Sequence, residues 1–289
     1  MKPRDVFDLV LLAALWGGAF LLMRVAVPAF GAATLAGLRV AVATALLLPW
    51  LVWRGSAPML RRHAGPIALI GIVNSALPFA FFSFALLHVN AGLAAVLNAT
   101  SPMFGALIAW LWLAQRPSAW RLTGLAVGFA GVVLLVWERI GQGSTGWAVA
   151  ACLLASVCYG LAANYTRVRL AGVESAVIAG GSQLGAALAL APLAWALWPS
   201  EPPSALAWAA VLTLGIACTG LAYLLYFRLI ARVGPARAIA VTFLVPVFGI
   251  GFGAAFLGEA IGWQMIAGSA VVLLGTALAT GLVPRANKD

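Results

Sequence analysis

Ten residues with polar, aromatic or helix-breaking side chains lie inside long apolar stretches, where they could contact a small molecule. They are Trp16, Asn74, Pro78, Phe79, Phe82, Asn98, Ser101, Tyr159, Tyr223 and Thr242. If the stretches cross a bilayer, their polar groups need partners in protein or water. The same holds for backbone carbonyls that a proline leaves without a hydrogen-bond donor. A shared cavity would provide them and would suit an apolar or ring-bearing solute. Hydrogen bonds between helices, worth about 0.6 kcal/mol each, are the alternative.

Spacing brings some of these residues together. Asn74, Pro78 and Phe82 are spaced i, i+4 and i+8, so they share one face of a helix. Trp16 precedes Gly17 and Gly18, where the small residues let another backbone or a ligand come close. The pattern predicts a polar and aromatic lining built from several helices.

Arg39 is the one charged residue predicted to lie well inside an apolar stretch. An ionised group at the centre of a membrane helix costs about 2.5–3.5 kcal/mol, so it needs a partner or a function. A guanidinium could attract a substrate carboxylate. Alternatively, Arg39 binds helix-end carbonyls or an acid at the outer face. Arg39 is therefore grouped with Pro102, Pro246 and Glu259 as a gating or structural residue.

Catalytic constellations are absent from the sequence. The two histidines, His63 and His88, form no i, i+4 pair and no HExxH motif, and there is no GxSxG elbow. The three cysteines lie in apolar runs without metal-site spacing. We predict no enzyme activity, no metal and no cofactor. No Asp or Glu is predicted near the middle of a span, which favours a facilitator over a proton-coupled carrier.

The composition excludes a water-soluble fold. The 289 residues are 64% hydrophobic and 8% charged with a mean hydropathy of +1.06, whereas soluble domains are about 45–50% apolar and about 25% charged. A membrane helix needs about 20 apolar residues. Ten such segments are predicted, at 6–27, 32–53, 66–87, 91–114, 118–137, 147–166, 175–198, 205–229, 236–257 and 262–283.

Positive charge is distributed unequally across the predicted membrane. One side, which includes both termini, carries 14 Lys and Arg residues, and the other carries two, Arg24 and Arg139. Lys and Arg of short loops are held in the cytoplasm, so both termini are predicted to be cytoplasmic. These helix-end cations explain the formal charge of +10, and no nucleic-acid partner is expected.

An internal repeat divides the chain into two units, 6–137 and 147–283. Residues 70–136 align without a gap on residues 214–280, with 14 identities in 67 positions that include Pro102/Pro246 and Gly105/Gly249. Each unit holds five predicted helices. Because five is odd, the second unit must enter the membrane from the opposite side. The expected fold is therefore an all-α membrane protein of ten transmembrane helices in two inverted five-helix repeats, a plan common among secondary transporters.

Several short motifs resemble the EamA family of the drug/metabolite transporter superfamily. They are the stretch 15–20 (LWGGAF), Leu38-Arg39, Pro102 and Pro246, and Leu257-Gly258-Glu259. The resemblance implies a ten-helix bacterial inner-membrane carrier with a central cavity, most similar to the YddG-like aromatic amino-acid exporters. Two departures from the family pattern are Gln115, at the position matched by Glu259, and Cys158-Tyr159 in place of a tryptophan.

These observations predict an alternating-access exporter of small metabolites, amino acids above all and aromatic ones among them. The expected partners are the amino-acid substrate and the lipid bilayer, and a monomer is the expected state. Two alternatives stay open. The cargo could belong to another class, such as a nucleotide precursor or a drug-like solute, or the protein could be a membrane scaffold without transport.

Overall fold

The computed structural model describes residues 1–137, 144–234, 238 and 240–281, and all regular structure in them is helical. In these residues, nine long apolar helices and one shorter apolar helix follow one another. They are α1 (Pro3–Phe30), α2 (Ala32–Trp53), α3 (Ala64–Ala85), α4 (Ala91–Leu113), α5 (Ala119–Val136), α6 (Ser144–Arg169), α7 (Ser175–Ala196), α8 (Ala205–Val233), α9 (Val241–Leu257) and α10 (Trp263–Thr280). A short helix, Ala57–Arg62, precedes α3. We call the end of the bundle at which α1 begins the terminal face.

Among the described residues, nine of these helices are long and apolar enough to cross a membrane, whereas α9 has 17 residues. The prediction of an all-helical membrane protein is thereby confirmed. Arg139, Arg237, Arg285 and Lys288, which contribute to the predicted charge distribution, lie outside the described residues, as does the end of the predicted span 262–283.

Polar residues set several helix boundaries. The side chains of Asn90, Ser118 and Ser204 cap α4, α5 and α8 by accepting hydrogen bonds from backbone N–H groups three residues later. Gly31 joins α1 to α2 with a φ of 71°, in the left-handed region that glycine tolerates best. The connection between these two long helices is therefore a single residue.

Backbone irregularities recur 144 residues apart. A π-turn occupies Ile72–Ala76 in α3, and another occupies Ile216–Leu221 in α8. Left-handed residues end α4 and α9, at Ala114 with a φ of 54° and at Gly258 with a φ of 65°. The aligned halves of the sequence thus share local conformation as well as residue identities.

Helices α5 and α10 run antiparallel and meet through small residues. An early residue of one helix faces a late residue of the other, as in Gly124 with Ala279, Gly128 with Gly275, Gly131 with Val272, and Leu135 with Gly268. Close approach through small residues is the usual basis of helix packing in lipid, where hydrophobic burial gives little driving force.

The other helices surround the interior in matched pairs. Helix α1 packs on α8 and α9, α6 packs on α3 and α4, and α2 packs along α7. The two halves of the chain repeat these contacts, because the packing of α1 on α8 and α9 corresponds to the packing of α6 on α3 and α4. Away from the terminal face, buried apolar side chains that include Phe30, Leu35, Leu86 and Val89 fill the space between the helices.

Candidate functional site

A buried positive charge lies at the centre of the bundle. The side chain of Arg39 in α2 is buried, with the residue 5% exposed. Its Nε donates to Thr219 Oγ1 at 2.8 Å, its Nη1 lies 3.5 Å from Met23 Sδ, and its guanidinium carbon lies 3.8 Å from the centroid of the Phe79 ring. These neighbours are all neutral. Within the described part of the chain, no carboxylate lies within 4 Å of this guanidinium.

The two π-turns supply polar side chains to this centre. Asn74 and Ser75 belong to the turn in α3, and Thr219 belongs to the turn in α8. A π-turn leaves backbone carbonyls without their usual helical partners, and Thr219 Oγ1 donates to one of them, the Leu214 oxygen, at 2.8 Å. The same hydroxyl therefore stabilises the turn and accepts from Arg39.

A hydrogen-bonded chain extends from the turn in α3. Asn74 Nδ2 donates to the Tyr223 hydroxyl at 3.3 Å, and Gln183 Nε2 donates to Ser75 Oγ at 2.9 Å. Gln183 is fully buried in α7, and its Oε1 has no hydrogen-bond partner among the described residues. Buried polar atoms are nearly always paired, so this acceptor is unusual.

Aromatic rings border the polar centre. Phe82 stacks on Tyr159 with centroids 6.3 Å apart and meets Phe20 edge to face at 5.3 Å. Of the predicted substrate-binding residues, the structure thus brings together Asn74, Phe79, Phe82, Tyr159 and Tyr223, with Pro78 buried in the same helix. Arg39, which the sequence grouped as gating or structural, lies among them.

Trp16 lies apart from this group, in contact with Tyr226 at a centroid distance of 5.3 Å. The neighbouring Gly17 packs against the backbone of α9 at Val245 and Gly249, which leaves no room for a Cβ atom. Gly17 therefore permits the close approach of α9.

Helix α4 is interrupted between Asn98 and Ser101. Side chains from other helices donate to backbone oxygens at the break: Ser156 donates to Leu97 at 3.0 Å, and Thr276 donates to Ala99 at 3.1 Å. Ser101 Oγ donates locally to the Asn98 oxygen at 2.6 Å. The polar residues here hold the break in place, and the Asn98 side chain is half-buried.

The four other predicted residues occupy helix segments nearby or at the far end of the bundle. Pro102 starts the second half of α4, and Pro246 is buried within α9. Thr242 is half-buried in the first turn of α9. Glu259 lies at the end opposite the terminal face, where its carboxylate accepts from the Ala91 N–H at 2.8 Å and the Gly92 N–H at 3.3 Å. It caps the N-terminus of α4.

A cavity of about 1020 Å³ lies between α1, α2, α7 and α8. Leu11, Leu15 and Trp50 form part of its largely apolar lining, and Arg54 and Arg228 line it at the terminal face. The lining extends along α8 to Leu221 and Ala217, which belong to the π-turn that carries Thr219. The cavity thus reaches the turn that contacts Arg39.

An ionic cluster joins α1 to α8 at the terminal face. The buried Asp8 carboxylate accepts from Arg228 Nη2 at 2.9 Å and from Arg232 Nη1 at 3.2 Å. Arg232 also lies 3.7 Å from Asp5. Both arginines lie in the last turns of α8.

Gln183 and Thr219 were not among the predicted site residues. Gln183 follows Gly180, Gly181 and Ser182 in the interior of the predicted span 175–198. A glutamine in the interior of an apolar span is itself a signal, because an amide in lipid requires a partner. That criterion alone would have selected Gln183.

The helical architecture and the buried polar centre define a multi-pass membrane protein with a polar interior. Residues 6–137 and 146–281 each match the sequence model of the EamA-like transporter family, so the chain belongs to that family and is a transporter.

Relatives of known sequence match along most of their length. The chain is 26% identical to a protein of Streptantibioticus cattleyicolor named a probable terminal-alkyne amino-acid exporter, over 95% of this chain and 93% of the relative. It is 28% identical to the uncharacterized inner membrane transporter YedA of Escherichia coli, over 86% and 81%. It is 25% identical to the uncharacterized transporter YvbV of Bacillus subtilis, over 96% and 92%.

A protein of known crystal structure has the same fold. Its TM-score is 0.69 over 99% of this chain and 100% of that one, at 21% sequence identity.

Proposed function

We propose that this transporter exports small zwitterionic metabolites, with amino acids, aromatic ones included, as the main substrates. The main supporting observation is the buried Arg39 guanidinium, which contacts Thr219 in a π-turn that a large cavity reaches from the terminal face. The name of the Streptantibioticus relative, an amino-acid exporter, supports the same substrate class. The rings of Phe82 and Tyr159 favour ring-bearing side chains, as in YddG-like exporters.

The proposed architecture is two inverted five-helix repeats, 6–137 and 147–283. Helices α5 and α10 occupy equivalent places in the two halves and run antiparallel, which is the relation that inversion requires. The π-turns and left-handed helix ends spaced 144 residues apart support the same division. Rocking of one repeat against the other would expose the centre to each side in turn.

The proposed orientation has both termini in the cytoplasm of a bacterial inner membrane. In that orientation the cavity opens to the cytoplasm, and the packed apolar side chains around Phe30 and Val89 close the outer side. Export would begin with entry of substrate into this cavity, between α1, α2, α7 and α8. The protein would act as a monomer, because the cavity lies between helices of one chain.

The transport is proposed to be facilitative. Among the described residues, the acidic side chains Asp5, Asp8, Glu174, Glu201 and Glu259 lie at or near helix ends or in connections. Arg39 therefore has no neighbouring carboxylate that could exchange a proton with it during the cycle.

Counterflow in proteoliposomes tests the substrate class. Vesicles loaded with unlabelled phenylalanine, tryptophan or leucine should accumulate the labelled amino acid from outside, and empty vesicles should not. Accumulation of a nucleotide precursor or a drug-like solute instead would assign another cargo. No exchange with any solute of a broad metabolite panel would favour a scaffold without transport.

A further inference from the structure

We infer that Arg39 binds the α-carboxylate of the transported amino acid and that Gln183 Oε1 accepts a hydrogen bond from its α-ammonium group. This inference rests on the proposed function and specifies how the substrate is recognised. Three features of the centre support it. Among the described residues, a buried cation has no neighbouring carboxylate and a buried acceptor has no hydrogen-bond partner. The residues that these two groups contact, Phe79 and Ser75, lie one helical turn apart.

The charge of Arg39 is uncompensated among the described residues. Its neighbours are the Thr219 hydroxyl, the Met23 thioether and the Phe79 ring, none of which carries a charge. A guanidinium has five N–H donors, and the contacts with Thr219 and Met23 use Nε and Nη1. The planar fork that is left matches a carboxylate, which would neutralise the charge and accept two hydrogen bonds.

The acceptor is the side-chain oxygen of Gln183. The amide nitrogen donates to Ser75 Oγ at 2.9 Å, and the residue is fully buried. The oxygen has no partner among the described residues. An ammonium group carries three donors and no acceptor, so it suits an oxygen held in this way.

The separation of the two groups suits an amino acid. Arg39 lies over Phe79, and Gln183 is bound to Ser75, which stands one turn earlier on the same helix. Side chains four residues apart lie on the same side of a helix. A carboxylate and an ammonium on one carbon atom can therefore be held by supports one helical turn apart. The rings of Phe82 and Tyr159 lie on the adjoining side, where the substrate side chain would extend.

Three related ligands separate the contributions of the two charged groups. L-phenylalanine carries both, L-phenylalaninamide lacks the carboxylate, and 3-phenylpropanoate lacks the ammonium. Binding to the detergent-purified full-length protein is measured by calorimetry and thermal shift. A charged hydrogen-bonding group is worth about 1.5–3 kcal/mol, so each of the two analogues should bind about 10-fold to 100-fold more weakly than phenylalanine.

Variants assign each preference to its residue. Arg39→Gln should bind phenylalanine and phenylalaninamide equally, whereas Arg39→Lys should still prefer phenylalanine. Gln183→Met should bind phenylalanine and 3-phenylpropanoate equally. The control Arg24→Gln removes an arginine of α1 that donates to the Leu86 oxygen and should keep both preferences. If Arg39→Gln does not fold, the comparison of the three ligands on the wild-type protein and on Arg39→Lys tests whether Arg39 binds the carboxylate.

The outcomes distinguish this inference from the proposed function. Saturable binding or exchange of phenylalanine together with equal affinity for phenylalaninamide would overturn the inference and leave amino-acid transport standing. Absence of binding and exchange with every amino acid would overturn the proposed substrate class and the inference with it. A preference for phenylalanine that survives in Arg39→Gln would exclude Arg39 as the carboxylate partner.

Discussion

Gly128 of α5 and Gly275 of α10 pack backbone to backbone, and a Cβ atom at Gly275 would overlap the Gly128 backbone. The contacts on either side of them involve further glycines at Gly124, Gly131 and Gly268. This contact joins the two halves of the chain through the helices that end them. Its integrity should therefore control how firmly the halves are held together.

Replacement of Gly275 by leucine should destabilise the protein by about 1–3 kcal/mol, because overpacking of a close contact forces the helices apart. Thermal unfolding of the detergent-purified protein measures the effect. Gly251→Leu is the matched control, since Gly251 is an exposed residue of α9 with open space around its Cα. Equal melting temperatures for the two variants would contradict the close contact of α5 with α10.

The ionic cluster at the terminal face predicts a second stability effect. Removal of one partner from a buried ion pair costs about 3–5 kcal/mol. Arg228 and Arg232 have side chains that are 45% and 32% exposed, so water solvates them in part, and for Asp8→Asn we expect about 1–2 kcal/mol.

Glu174→Gln is the control for Asp8→Asn. The bridge from Glu174 to Arg54 is exposed on both sides and should contribute about 0–1 kcal/mol. A double-mutant cycle of Asp8→Asn with Arg228→Gln measures the coupling directly. A coupling energy near zero would indicate that Asp8 does not hold α1 against α8.

Glu259 is expected to act as a helix cap and not as a proton carrier. Its carboxylate accepts from the first two N–H groups of α4, where a negative charge also interacts favourably with the helix dipole. Glu259→Gln should lower stability by about 1 kcal/mol and should leave the pH profile of counterflow unchanged. Glu201→Gln, in an exposed connection, is the control. A pH dependence that disappears in Glu259→Gln would identify Glu259 as a proton carrier.

The helix bounds follow closely from hydropathy because length and apolarity are properties of the sequence alone. The predicted span 32–53 coincides with α2, and 175–198 differs from α7 by two residues. The break between Asn98 and Ser101 was not predicted. Its stability depends on Ser156 and Thr276, which donate to backbone oxygens at the break from other helices. Such partners become visible only when the helices are packed.

Only part of the candidate site was predicted, again because partners on other helices become visible only when the helices are packed. Asn74 stands out in the sequence because polar groups inside apolar spans are uncommon, and Phe82 shares its helix face at i+8. The pairing of Asp8 with Arg228 spans 220 residues and depends on the packing of α1 on α8. No local pattern in the sequence contains that information.

Transport assays should separate the predicted substrate-binding residues from an aromatic residue at the surface. Trp16→Ala, Asn98→Ala and Tyr159→Phe should each reduce counterflow by several-fold more than Trp53→Ala does. Trp53 is 82% exposed at the end of α2, where a tryptophan anchors the helix at the membrane interface. Similar rates for all four variants, at matched reconstitution levels, would contradict the assignment of the first three to the substrate pathway.

The inverted architecture predicts opposite accessibility for two equivalent positions. Ser118, before α5, and Gly262, before α10, are exposed residues 144 positions apart that cap the matched helices. In a background where Cys152, Cys158 and Cys218 are replaced by alanine, Ser118→Cys and Gly262→Cys are labelled with a membrane-impermeant maleimide. With both termini in the cytoplasm, Gly262→Cys should react in intact cells and Ser118→Cys only after lysis. Reaction of both cysteines from the same side would show that the two repeats insert in the same direction, and the alternating-access proposal would have to be abandoned.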